Sequence, residues 1–192
     1  MSSLPQLVAR ALEAAGVGVG DLDAVAVSIG PGSFTGLRIG LAFAKGLAYA
    51  GRVAIAPVST LLALAHVADA QAGETICAAI DARRGEIYAA LFTCQAGGAL
   101  TRESPDRAWT PSALAVALPE DAIVIGDVAE ADWRALGPRI RVLGASTHPP
   151  HGGIVARLGG ASIRAGGCWD VRGLEPVYVR PADAQLPTTP LR

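Results

Sequence analysis

The sequence has few charged residues and few cysteines, and both shortages limit what the protein can be. Only 17% of the 192 residues are charged, the net charge is −1, and no stretch concentrates lysine or arginine. Free-standing nucleic-acid-binding domains carry a basic patch, so we do not expect one here. The three cysteines, Cys77, Cys94 and Cys168, are widely spaced and odd in number. This pattern excludes a disulfide framework and predicts a reduced, cytoplasmic protein.

Long apolar runs are also missing. The nearest candidate for a membrane span, residues 53–68, is too short and is interrupted by Pro57 and by polar residues. The first segment mixes Gln6, Arg10 and Glu13 with apolar residues and lacks the pattern of a signal peptide. We therefore expect a soluble protein with no membrane association. With 51% hydrophobic residues, a chain of this length can bury a substantial core.

Motifs for metal binding and nucleophilic catalysis are absent from the sequence. It contains no cysteine pair and no His-Glu-x-x-His helix, and His148 and His151 flank two prolines in a predicted surface loop. The carboxylates Asp81 and Glu86 could serve acid–base chemistry, but a solvated turn whose charges offset one another is favoured. We predict no catalytic residue, no metal and no cofactor.

Strand and helix patterns alternate along the chain, which predicts an α/β protein. Residues 71–73 are typical of a boundary, after which strands 76–81 and 86–92 predict a β-hairpin. We therefore predict two units, residues 1–72 and 73–192, the second ending in an extended proline-rich tail. The other predicted helices are 4–15, 35–50, 60 to about 70 after the cap Ser59, 111–118, 129–136 and 154–166, and the other strands are 24–27, 52–58 and 122–126.

The most informative segment is the predicted helix 35–50 and the Gly-Pro-Gly turn before it. Gly36, Gly40, Ala44 and Ala48 recur at every fourth position and so form one stripe along this helix. Each glycine inside a helix costs about 1 kcal/mol relative to alanine. The stripe therefore predicts close packing, either within the fold or against a partner.

The same turn leaves a second interpretation open. A strand, a glycine turn and a helix start are the usual parts of an anion site. The spacing of Gly30, Gly32 and Gly36 nevertheless fits neither the dinucleotide fingerprint nor the P-loop. A tight turn that brings the helix close to its strand is the favoured interpretation, with nucleotide binding as the alternative.

Four stretches of the sequence resemble a known family. They are GPGSFTGLRIG at 30–40, AKGLA at 44–48, DARRGEIY at 81–88 and PVYVRPADAQ at 176–185. These stretches closely resemble the TsaB family, the dimerisation subunits of the bacterial machinery that makes threonylcarbamoyladenosine at position 37 of tRNAs. The resemblance implies an actin-like ATPase (ribonuclease H-like) fold with two duplicated α/β halves, and the role of a non-catalytic scaffold.

The resemblance also implies partners. Family members pair with the catalytic subunit TsaD through the first two helices of the N-terminal half, which here are 4–15 and 35–50. The ATPase TsaE joins the larger assembly, and tRNA is reached only through the complex. A homodimer through the same helices is equally compatible with the stripe. The interface residues implied are Leu7, Arg10, Ala11, Gly36, Ile39, Gly40, Phe43, Ala44, Leu47 and Ala48.

One comparison within the resemblance concerns catalysis. TsaD-like proteins hold a metal with two histidines, and Thr60 and Leu64 stand at the matching positions. Neither side chain is a good metal ligand, which favours a scaffold. The alternative is a nucleotide- or metal-dependent hydrolase or peptidase of the glycoprotease superfamily.

A second comparison concerns the start of the chain. Family members have a strand with an Asp-Thr-Ser turn and two further strands before the first helix, whereas Met1 falls almost on that helix here. We therefore expect the N-terminal half to lack its first strands and to expose a sheet edge. The hypothesis is a start codon assigned too far downstream, or a truncation.

Overall fold

The computed structural model describes residues 3–128, 130–137, 140–144 and 152–180. The helices are α1 Leu4–Ala15, α2 Phe34–Gly51, α3 Thr60–Ala65, α4 Pro111–Ala117, α5 Glu130–Ala135 and α6 Gly152–Arg164, with a short 3-10 turn at Val19–Asp21. The strands are β1 Ala24–Gly30, β2 Ala54–Ser59, β3 Thr75–Arg83, β4 Glu86–Cys94, β5 Leu100–Arg102, β6 Arg107–Trp109, β7 Ile123–Asp127 and β8 Arg141–Gly144. No helix in these ranges is long and apolar enough to cross a membrane.

The first sheet is covered by a helix on each face. In the described residues it consists of β1 and β2, which run parallel with Ala24 opposite Ala54. Helix α2 packs on the face that carries Val25 and Val27, and α6 packs on the opposite face, where Gly159 meets Ala26. Successive strand side chains point to opposite faces, so one apolar strand supplies two separate layers of core.

The second sheet has the strand order β5-β4-β3-β7-β8, and β6 pairs with the N-terminal part of β4. Strands β3 and β4 are antiparallel, while β3, β7 and β8 are parallel. On one face Ile76 and Phe92 pack against α3, and on the other Cys77 packs with Leu114 of α4. Both clusters consist of buried apolar side chains, and their burial is how the hydrophobic effect stabilises this part of the fold.

After α6 the chain returns to the first sheet as an irregular strap, residues 168–180, which we call the C-terminal strap. Its Trp169, Val171 and Leu174 pack into the core between α2 and β1. The Val177 N–H donates a 2.8 Å hydrogen bond to the Ile29 carbonyl oxygen at the edge of β1. The extended tail predicted from the prolines has no helix or strand as far as residue 180, and its remainder lies outside the described residues.

Three differences from the sequence prediction concern α3, β8 and α6. Helix α3 ends at Ala65 and not near residue 70, because the amides of Val67 and Ala68 bond to carbonyl oxygens three residues back and tighten the chain into a turn. Strand β8 was not predicted, since four residues without alternation carry too little signal. Helix α6 falls in the predicted unit 73–192 but packs on the first sheet. The division at residue 72 stays a prediction.

Candidate partner interface and neighbouring cleft

Helix α2 begins immediately after a turn that requires glycine. Gly30 has φ +127°, and a Cβ there would lie 2.5 Å from the Val177 carbonyl oxygen of the C-terminal strap. Ser33 then caps the helix, its hydroxyl accepting a 3.3 Å hydrogen bond from the Gly36 N–H. The turn therefore allows the strap to lie close to β1 and fixes the direction of α2.

One face of α2 belongs to the core of the protein. Leu41, Ala44 and Ala48 are 4%, 5% and 1% exposed and pack with Ile55 and the apolar side chains of β1. Two of the four residues in the small-residue stripe thus contact the first sheet and offer no side-chain surface to another molecule. We correct the expectation for Ala44 and Ala48: the close packing at these positions is internal.

A second face of α2 is open. At 100° per residue, Gly36, Ile39, Gly40, Phe43 and Leu47 lie to one side of the buried face. Ile39 is 58% exposed, and in the described part of the chain no atom lies within 4 Å of a Cβ built at Gly40. Internal packing therefore gives no reason for a glycine at position 40, in the middle of an 18-residue helix.

Helix α1 is amphipathic, yet none of its residues is buried. Its start is well formed: Gln6 Oε1 accepts a 2.9 Å hydrogen bond from the Ser3 N–H, and Gly16 ends the helix with φ +68°. Leu7 is 52% exposed, and Arg10 and Ala11 are exposed beside it. An apolar helix face that stays in solvent is unfavourable for a lone domain and is typical of an interaction surface.

The resemblance aligns Thr60 and Leu64 with histidines of TsaD-like proteins, and the structure places them on α3, at its first residue and at its last but one. Leu64 is 1% exposed and forms part of the second-sheet core, so it serves packing. The hydroxyl of Thr60 is buried without a hydrogen-bond partner among the described residues. No group of three or more histidine, cysteine or acidic side chains suited to a metal occurs in the described ranges. The predicted loop with His148 and His151 lies outside those ranges.

A cleft of about 590 Å³ lies beside the start of α2. It brings together the turn 31–34, the hairpin tip 81–84 with Tyr88, and the strap residues 177–180. The two segments for which sequence analysis kept an alternative role, the glycine turn and the hairpin tip, therefore meet in one place. The charges at the tip offset one another in part, because Arg83 Nη1 lies 3.1 Å from Asp81 Oδ2.

The rim of this cleft carries an aromatic group that sequence analysis missed. The rings of Phe34 and Tyr178 lie 5.3 Å apart between centroids. The guanidinium carbon of Arg38 sits 4.0 Å from the Phe34 centroid, and Arg38 Nε donates a 2.9 Å hydrogen bond to the Tyr178 hydroxyl. These residues are about 140 positions apart in the chain, so no local pattern could have joined them.

Comparison with known proteins agrees with this architecture. Residues 1–108 match the family model described as TsaD, tRNA N6-adenosine threonylcarbamoyltransferase. The tRNA threonylcarbamoyladenosine biosynthesis protein TsaB of Bacillus subtilis is 32% identical over 173 residues, which are 86% of this chain and 72% of that protein. A solved structure of YeaZ from Pseudomonas aeruginosa has a TM-score of 0.77 and 32% identity, over 91% of this chain and 82% of that one.

The match with a third relative is closer but shorter. The protein of the same name from Haemophilus influenzae is 41% identical over 83 residues, which are 43% of this chain and 35% of the relative. The matched segment thus spans about a third of that protein. Together these similarities show that the chain belongs to the TsaB family, and they confirm the actin-like, ribonuclease H-like α/β fold expected from the sequence.

Proposed function

We propose that this chain is a non-catalytic scaffold subunit required for threonylcarbamoylation of adenosine 37 in tRNAs, and that it acts by pairing with the catalytic subunit TsaD. The names of its relatives in Bacillus subtilis and Haemophilus influenzae refer to tRNA threonylcarbamoyladenosine biosynthesis. The larger assembly would also contain TsaE, and tRNA would be bound through the complex. The protein would act in the cytoplasm.

The observation that carries the proposal is the open apolar face of α1 and α2. Leu7 and Ile39 are more than half exposed, and the Cβ position of Gly40 faces empty space. A glycine in that position lets another helix backbone approach closely. Removing exposed apolar surface from water, at about 25 cal/mol per Å², would favour association.

The proposed occupant of this face is TsaD and not an arbitrary protein. The TsaD family model matches residues 1–108 of this chain, so TsaD has a related segment that includes α1 and α2. Two related folds can pair through equivalent surfaces, as in a twofold dimer. By the same reasoning a second copy of this chain is the competing occupant.

The test is co-purification of the chain with TsaD from the same organism. Gly40→Glu places a charge on the open face without displacing any described neighbour, so the free chain should fold normally. A charge buried without a counterion in a helix contact is strongly destabilising, about 3 kcal/mol or more. We expect this variant to lose the pair, measured by size-exclusion chromatography of the co-expressed proteins.

The matched control is Val116→Glu, a charge placed on α4, where the valine is 89% exposed. This variant should pair like the wild type. Normal pairing of Gly40→Glu would overturn the interface, and failure of the wild-type chain to bind TsaD would overturn the function. A wild-type chain that forms only homodimers at equal concentrations of both proteins would support the competing occupant.

A further inference from the structure

Helix α2 exposes a strip of four residues, Ile39, Ala42, Gly46 and Tyr49, which we call the α2 seam. The four are spaced by three, four and three positions, so at 100° per residue they lie within about 80° of one another. Ile39 is 58% exposed and Tyr49 is 78% exposed, and a Cβ built at Gly46 meets no described atom within 4 Å. This spacing is that of the a and d positions with which one helix packs against another.

All the charged side chains of α2 lie along one border of this seam. Arg38 and Lys45 are the only charged residues within the helix, and Arg52 is its C-terminal cap. The three recur at every seventh position and take the g positions of the same heptad, so they form one border, which we call the basic edge. The helix contains no acidic residue that could offset their charge. In paired helices, side chains at these flanking positions set the choice and the orientation of the partner.

The charges of the basic edge have no counterion in the part of the chain that the structure describes. Arg38 Nε donates its hydrogen bond to the Tyr178 hydroxyl, and Lys45 Nζ donates a 3.1 Å hydrogen bond to the Arg172 carbonyl oxygen. Both acceptors are neutral. Glu175 lines the groove between α2 and the strap, yet it forms no ion pair with either cation within the described ranges. The positive charge along this edge is therefore available to an acidic group of another molecule.

Two side chains at the C-terminal end of the seam serve no internal packing. The Arg52 side chain has no hydrogen bond or ion pair to a described residue. Its backbone has φ +54°, a left-handed conformation in which glycine is usual, although its charge does favour the C-terminal end of the helix dipole. Tyr49 leaves most of its ring in solvent. Tyrosine and arginine are among the residues that most often dominate the binding energy of an interface.

We propose that the α2 seam and its basic edge bind a helix of TsaD that carries acidic side chains along its facing border, with Tyr49 as the anchor. The choice of TsaD rests on the proposed function. A second copy of this chain fits less well. In a twofold pair of antiparallel α2 helices, the basic edge of one copy faces the basic edge of the other, and like charges across an interface repel. Charge therefore selects a different, acidic partner.

The experiment titrates the full chain with TsaD by calorimetry at about 50 mM and about 500 mM salt. One variant carries Lys45→Gln and Arg52→Gln, and a second carries Arg52→Gln alone, since that side chain has no described contact to lose. Their matched control is Arg164→Gln, which removes an exposed positive charge from the last turn of α6. Tyr49→Ala tests the anchor, and its control is Val116→Ala at the exposed position on α4.

The double variant should raise the dissociation constant for TsaD about 3-fold to 10-fold at the lower salt concentration, and Arg52→Gln alone should raise it about 2-fold. At the higher concentration both differences should largely disappear, because salt screens exposed charge pairs. Tyr49→Ala should weaken binding about 5-fold or more at both concentrations. The two controls should bind like the wild type, and every variant should keep its melting temperature within about 3 °C.

The seam proposal alone is overturned if the wild-type chain binds TsaD and the charge variants bind it equally well at low salt, or if Arg164→Gln weakens binding as much as they do. A loss of affinity that persists unchanged at high salt would overturn the acidic partner border. Unchanged binding of Tyr49→Ala would overturn the anchor. Tighter self-association of the double variant in the ultracentrifuge, with unchanged TsaD binding, would assign the seam to a second copy. If the wild-type chain does not bind TsaD at all, the proposed function fails together with the occupant proposed for the seam.

Discussion

Gly159 of α6 lies directly against Ala26 of β1, so closely that a Cβ built at Gly159 would stand 2.5 Å from the Cβ of Ala26. The same Cβ would be 3.0 Å from that of Ala56 on β2. Real carbon atoms do not approach one another this closely without a shift of the backbone. The helix that closes the first sheet therefore depends on the absence of one methyl group.

Gly159→Ala should lower the free energy of unfolding by about 1–3 kcal/mol, the usual effect of overpacking. The matched change is Gly160→Ala, one residue along the same helix, where the nearest neighbour is the flexible end of Arg164 at 3.3 Å. That variant should be neutral or slightly stabilising because alanine favours the helix. Urea denaturation measures both, and equal stability of the two variants would contradict the contact.

Gly40→Ala should stabilise the free chain and weaken its pairing with TsaD. The added methyl group meets no described atom within 4 Å, and alanine in a helix is favoured over glycine by up to about 1 kcal/mol. We therefore expect a higher melting temperature for the free chain and a larger dissociation constant for TsaD. Calorimetry and a binding titration measure the two effects. A variant that both stabilises the chain and pairs more tightly would argue against a close helix contact.

His66 should make the fold less stable in mild acid. Its imidazole is partly buried beside α6. This burial is the larger cause that lowers the His66 pKa below its ordinary value, and repulsion from the positive charge of Arg157 is the smaller one. The unfolded chain then binds the proton more readily than the folded chain, so stability falls as the pH drops below about 6.5. Proton NMR should give a midpoint below 6.5 that rises in Arg157→Gln. A midpoint at or above the ordinary value would contradict this environment.

Thiol reactivity should divide the cysteines by burial. Burial raises the pKa of the Cys77 thiol to about 12, whereas Cys168 is exposed on the C-terminal strap. Because the thiolate is the reactive form, Ellman's reagent should modify Cys168 rapidly and Cys77 only after unfolding. Cys168→Ser should remove the fast phase. A fast phase that survives in that variant would show that one of the other thiols is exposed, which would contradict their burial in the structure.

Local sequence patterns predicted the elements around the candidate site well. Helix α1 has the predicted bounds, and α2 extends the predicted helix by one residue at each end. Capping residues, glycine stops and apolar spacing are short-range features, so a single segment contains all the information needed. The same patterns could not separate the buried Ala44 from the open Gly40, because both are small residues on one stripe.

The sequence by itself determined the α/β class, the family and the small-residue helix, because each depends on contiguous residues. Only the tertiary structure decided which half of the stripe packs internally, and only it placed Phe34, Tyr178 and the hairpin arginines around one cleft. The C-terminal strap, which brings Tyr178 to Phe34, follows the whole second sheet in the chain. The contact between the two rings therefore depends on the packing of α6 and of the strap against α2 and β1. Such long-range contacts arise from the whole core, and no local pattern encodes them.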